Sequence, residues 1–116
     1  MRYRKLRVQD LIREEISSII QLDVKDPGIG FVTILEVKMS EDLKIAKVYC
    51  SVYGNEETKQ ATIEALKRSK NYIRFLLGKR IKLRYTPEIV FVLDTTYDAA
   101  AKIEAILNKE IHAKED

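Results

Sequence analysis

The chain has 116 residues, 46% of them hydrophobic and 34% charged, with a formal net charge of +3. That length predicts one domain with a core of its own, and the balance of apolar to charged residues excludes a disordered chain. A lone cysteine, Cys50, excludes an internal disulfide and suits a reducing cytoplasm, while the basic N-terminus lacks the apolar run of a secretory leader and no segment reaches the ~20 apolar residues of a membrane span.

Val8, Leu11, Ile12, Ile16, Ile19 and Ile20 recur at helical spacing and predict an amphipathic helix over residues 5–22, with Glu14 and Glu15 on its wet side. Arg2, Arg4, Lys5 and Arg7 open it, where positive charge opposes the helix dipole. Pro27-Gly28 and Gly30 make a loop. Phe31, Thr33, Leu35, Val37 and Met39 then alternate with polar residues and predict a strand with that set inward. Ser40-Glu41-Asp42 is a polar turn. A second strand over 44–52 has Ala46, Val48, Cys50 and Val52 on one face, with Lys44, Lys47 and Ser51 near the other, so the pair reads as an antiparallel hairpin.

Asn55 is placed to cap a helix with Glu56 and Glu57 in its first turn. Ala61, Ala65 and Leu66, flanked by Ile63, give that helix its apolar stripe. Ser69, Lys70 and Asn71 predict a kink or short break, since Ser and Asn compete for backbone hydrogen bonds and Asn tolerates positive φ. A second helix is expected over 72–82, with Ile73, Leu76, Leu77 and Ile81 inward. Pro87 closes it. Residues 88–93 form a third strand with Ile89, Phe91 and Leu93 on one parity; Val90 and Val92 on the other are either covered or presented to a partner. Thr95 or Thr96 caps a last helix over 97–110, with Ile103, Ile106 and Leu107 inward. The expected domain is residues 1–111, followed by a loose tail, 112–116.

The fold class is therefore α+β, in the order α-β-β-α-kink-α-β-α, with a three-stranded mixed sheet and its helices packed on one face.

Residues 67–84 carry eight Lys or Arg and no Asp or Glu, so all 18 acidic residues lie elsewhere. A face built only for solubility usually mixes both signs; this one reads as a surface for a phosphate backbone. Lys67, Lys70, Arg74, Lys79, Arg80 and Lys82 are the candidate phosphate contacts. Asn71 is a hydrogen-bonding group at the kink, and Tyr72 either stacks on a base or lies half in the core. Arg84 contacts RNA or braces the loop before the third strand. Arg4 and Arg7, with Arg2 and Lys5, offer a second contact at the other end of the chain. Lys70 and Arg74 are the natural pair for a charge-reversal test.

No catalytic constellation is legible. The single histidine, His112, lies in the tail, which leaves no core Ser-His or Cys-His pair and no zinc site. There is no phosphate-binding glycine loop, and Gly28-Ile29-Gly30 is one residue short of a GxxG. Neither an enzyme nor a cofactor is expected.

Arg7-Val8, Leu11-Ile12, Glu15-Ile16, Lys25-Asp26-Pro27, Val32-Thr33-Ile34 with Val37, and Ser40-Glu41-Asp42-Leu43 before Ala46-Lys47-Val48-Tyr49 make a series. Ile73-Arg74, Leu83-Arg84-Tyr85-Thr86-Pro87-Glu88-Ile89 with Phe91, and Asp94 complete it. In this order and spacing the chain resembles the ribosome-binding factor A family over nearly its whole length. The resemblance implies a type-II KH fold in which two helices meet at a kink in place of the GxxG loop. It also implies a monomeric cytoplasmic factor that binds the free small ribosomal subunit, or its precursor, and its rRNA. Late rRNA maturation including 5′-end processing, growth in the cold, and maturation GTPases acting alongside belong to the same expectation. The family has Ala-x-Gly where this chain has Ser69-Lys70-Asn71; a Gly at the third position would let an RNA backbone come closer.

Three other readings stand beside this one. A generic single-strand KH module is disfavoured by the missing GxxG. A small ferredoxin-like enzyme is disfavoured by the absence of a poised nucleophile. A protein-interaction domain would use Val90 and Val92.

Overall fold

The computed structural model describes residues 2–94. The elements run α1 (Arg2–Leu22), β1 (Phe31–Met39), β2 (Ile45–Tyr53), α2 (Glu56–Arg80) and β3 (Glu88–Leu93). The expected last helix and tail lie outside the described residues. β1 pairs antiparallel with β2, from Phe31 opposite Tyr53 to Met39 opposite Ala46. β3 joins the far side of β2 in parallel, from Ile45 beside Glu88 to Cys50 beside Leu93, giving a mixed sheet in the order β1-β2-β3. Parallel neighbours cannot be joined by a tight turn, and α2 makes the crossover.

α1 packs on β1 and α2, and α2 packs on β3 and β2. Ile12, Ile16, Ile19 and Ile20 of α1, Leu66, Ile73 and Leu77 of α2, and Val37, Val48, Cys50, Ile89 and Phe91 of the sheet form one core. Each such side chain contributes roughly 2–3 kcal/mol by leaving water. Leu11, expected inside, is exposed and lines a cleft with Ile81.

Along β1 the inward set differs from simple alternation. The register shifts at a bulge between Ile34 and Glu36. Val32 and Ile34 pack on the core before it, and Val37 and Met39 are buried after it, while Phe31, Thr33 and Leu35 are exposed. An extra residue in a strand flips the parity of everything beyond it. β2 keeps strict alternation, with Ala46, Val48, Cys50 and Val52 buried. The Cys50 thiol is pushed up to about 11 by burial and, less, by the charge of Asp94; it behaves as a small core hydrophobe. On β3, Val90 is exposed and Val92 half-buried.

The β1–β2 turn is held by side chains. Ser40 Oγ donates to Asp42 Oδ1 at 2.6 Å and accepts from the Ile45 amide at 3.0 Å; the Lys44 amide donates to Asp42 Oδ1 at 3.1 Å. Leu43 adopts φ of 60°, the one positive φ at a non-glycine position among the described residues. The turn fixes this costly conformation.

α2 departs most from expectation. Asn55 caps it, its side chain accepting from the Thr58 amide at 2.8 Å, with Glu56 and Glu57 in the first turn and Lys79 and Arg80 in the last. From there it is helical without interruption to Arg80. Of the kink or short break expected at Ser69-Lys70-Asn71, a break is absent, and Asn71 has no positive φ. The inward stripe explains why. Thr62, Leu66, Ser69, Ile73 and Leu77 keep one phase, with Ser69 half-buried and Lys70 and Asn71 outside. Apolar burial on both sides of the triplet outweighs local preferences of about 0.5 kcal/mol per residue. Ala61, expected in the stripe, is exposed, and Thr62 takes its place. Thr62 Oγ1 accepts from the Gly30 amide at 3.0 Å and pins the loop after α1 to α2.

An exposed Asn in a helix interior costs more than Ala, so Asn71→Ala is expected to raise stability by about 0.5 kcal/mol. Urea denaturation followed by circular dichroism measures this. A loss of stability would show that Asn71 is needed for a non-helical geometry.

Candidate nucleic-acid interface

The outward side of α2 is built by helical spacing. Lys67, Lys70, Asn71 and Arg74 stand three or four residues apart and share one face, and all four are exposed. Lys79 and Lys82 continue the positive surface beyond them. No acid interrupts residues 67–84.

The cations of this run are not equivalent. Arg80 donates to Asp23 Oδ2 at 2.8 Å, and Arg68 pairs with Asp26 at 3.2 Å. Both acids lie in the loop after α1, and Asp26 also accepts from the Gly28 amide at 2.8 Å. Arg74 turns back along the protein: its guanidinium donates to the Thr86 carbonyl at 2.9 and 3.3 Å. Glycine at position 78 permits this approach, since a Cβ there would meet Thr86 Oγ1 at 2.7 Å. Arg74 is therefore a brace between α2 and the segment before β3, the role that the sequence offered for Arg84. Arg84 instead lies beside Tyr85, its guanidinium carbon 5.8 Å from the ring centroid.

Asn71, Arg74, Phe75, Gly78, Lys79 and Thr86 line a shallow groove along α2. The ends of the cationic run then meet the start of the chain. Arg4 lines a cleft with Lys82, Arg84 and Tyr85, and a neighbouring one with Tyr3, Arg7 and Lys82. Arg4 and Arg7, remote in sequence from residues 82–84, thus share a surface with them. Lys5 faces another way and donates to Glu41 at 2.9 Å.

Three aromatics lie beside these cations and carry no sequence-based assignment. Phe75 is 57% exposed with Lys79 Nζ 4.8 Å from its centroid; Tyr85 is 61% exposed; Tyr3 is 73% exposed with Arg7 at 5.9 Å. Their signal was an aromatic ring off the apolar stripe and next to Lys or Arg. Tyr72, weighed as half core, is exposed.

Among the described residues no cluster of His, Cys, Asp or Glu could hold a metal, and no helix is long and apolar enough to cross a membrane.

A three-stranded α+β domain of KH-like topology, with a cationic helix face that carries no acid from residue 67 onward, is the class that these features define. The family model for ribosome-binding factor A matches residues 4–107. Ribosome-binding factor A of Caldanaerobacter subterraneus subsp. tengcongensis is 47% identical over 116 residues, spanning 99% of this chain and 94% of its own. That of Dictyoglomus thermophilum is 50% identical over 110 residues, spanning 94% and 89%. The chain belongs to the ribosome-binding factor A family.

Solved structures agree in fold. A proposed ribosome binding factor A from Thermotoga maritima, determined by solution NMR, superposes with a TM-score of 0.70 at 34% identity, covering 78% of this chain and 86% of its own. The crystal structure of ribosome-binding factor A from Thermus thermophilus gives 0.69 at 24%, covering 77% and 93%. A homology model of the Thermus thermophilus factor, fitted into a cryo-EM map of its complex with 30S, gives 0.56 at 23%, covering 78% and 91%.

Proposed function

We propose that this protein binds the free small ribosomal subunit or its precursor in the cytoplasm and assists late maturation of its rRNA, including processing of the 5′ end. The observation that carries the reading is the cationic stripe on α2 from Lys67 onward, in a run 67–84 without an acid, continued by Lys82 and Arg84 to Arg4 and Arg7. Family membership supports it, as does the 30S complex into which the Thermus thermophilus relative was fitted. Lys67, Lys70, Lys79 and Lys82 are the phosphate contacts, with Arg4, Arg7 and Arg84 extending them; Asn71 offers an amide to the same backbone. Arg74 and Arg80 support the surface more than they contact RNA, because each is already held by a protein acceptor. The reading assigns no catalytic step. Maturation GTPases act beside the protein on the same particle.

Co-sedimentation with purified small subunits and with whole ribosomes tests this. Binding to free small subunits alone is expected. If about five phosphates are neutralised, log affinity falls with log salt at a slope of roughly −3.5 to −4.5. A slope near zero would reject the phosphate surface and favour an apolar contact through Val90.

A further inference from the structure

Two adjoining clefts lie where the N-terminal turns of α1 meet residues 81–85. One, of about 360 Å³, has Val8, Met39, Leu43 and Leu83 for its apolar lining and Tyr85 on its wall. The other, of about 330 Å³, has Leu11 and Ile81 beside Val8 and Leu83, with Tyr3 on its wall. Arg4, Val8, Lys82 and Leu83 line both and form the ridge between them. Each cleft has its own tyrosine and its own arginine against that ring, Arg84 on Tyr85 and Arg7 on Tyr3. Their volumes fall at the lower end of the ~300–1,000 Å³ of small-molecule sites.

We propose that this pair of clefts takes two consecutive unpaired nucleotides of RNA, one base stacked at Tyr85 and the next at Tyr3, with the phosphate between them on Arg4 and Lys82. The inference rests on the reading of this face as an RNA surface, and it names what that face selects: an extruded or single-stranded dinucleotide rather than a duplex backbone. An aromatic ring on the wall of each cleft fits a flat base, and the cationic ridge the two clefts share fits the phosphate that joins two bases. Stacking is the way single strands are held without a glycine-rich clamp. Asp42 stands on the rim of the Tyr85 cleft. Hydrogen bonds from Ser40 and the Lys44 amide hold its carboxyl below the usual carboxylate range. Its charge repels phosphate from that wall and directs the backbone to the Arg4–Lys82 ridge.

The test is a fluorescence titration of the whole protein with a short RNA carrying a fluorescent adenine analogue beside a second adenine. The RNA is used as a single strand and as the matching blunt duplex. The single strand is expected to bind at least roughly tenfold more tightly than the duplex and to change its fluorescence on stacking. Tyr3→Ala with Tyr85→Ala is expected to remove that preference while leaving duplex binding unchanged, and Tyr3→Phe with Tyr85→Phe to restore it. Both tyrosines are exposed, so the variants are expected to fold. Equal affinity of the unaltered protein for both RNAs, or an indifferent double Ala variant, overturns the inference. If small subunits still co-sediment in that case, the contact is to phosphates alone and the proposed function stands. If subunits fail to bind but the tyrosine-dependent preference persists, the clefts stand and the ribosomal role falls.

Discussion

Lys67→Glu with Lys70→Glu is expected to weaken small-subunit binding by on the order of 100-fold at physiological salt. The double reversal removes two phosphate contacts, each worth somewhat under a decade in affinity at that ionic strength, and the two anions put in their place add repulsion. Both side chains are exposed, and neither makes an ion pair with another described residue. Lys and Glu have similar helix propensity, so the melting temperature should move little. The pair suggested by the sequence, Lys70 with Arg74, is a poorer probe. Arg74→Glu would set a carboxylate against the Thr86 carbonyl, and lost binding could then reflect a displaced segment before β3. Sedimentation of the folded Lys67/Lys70 variant at unaltered affinity would move the contact off this stripe.

Leu77→Ala is expected to give the largest loss of stability, about 3–4 kcal/mol, from the transfer term and the cavity together. Leu77 is fully buried and precedes the glycine on which the segment before β3 rests. The same change at Leu11, which is 48% exposed, is expected to cost less than about 1 kcal/mol. Thermal melts by circular dichroism compare the two, and roughly 10 °C or more should separate them. Equal shifts would mean that Leu77 does not anchor the last turns of α2. Because Lys79, Lys82 and Arg84 follow closely, a loosened helix end should also weaken RNA binding.

Much of this architecture could be read from residue order. The alternation of Ala46, Val48, Cys50 and Val52 named a strand correctly because β2 keeps its alternation without irregularity; that it lies between β1 and β3 came from the fold. Asn55 announced its helix because capping is a local bond. The bulge in β1 was not legible: Phe31 to Met39 keep an apolar parity in sequence that the backbone abandons at Leu35. The triplet Ser69-Lys70-Asn71 does not break the helix, for the opposite reason. Its local preferences are real but small, and Leu66 and Ile73 bury against one core on either side. Which cations are free was also hidden, since Arg80 and Asp23 stand 57 positions apart and only the fold brings them together. Likewise nothing in the spacing of Arg4 and Lys82 revealed that they would line common clefts.

The irregularity in β1 has a consequence for how copies of this protein meet. β1 lies at an edge of the sheet, and a straight edge is a template on which a second chain can add a strand. Here the bulge interrupts the row of outward amides and carbonyls at Leu35, and Gln9 of α1 takes the Met39 amide at 2.9 Å. A continuous strand from another copy would find its bonding pattern broken in the middle and occupied at one end. Such an edge disfavours the addition of a strand from a second copy along β1.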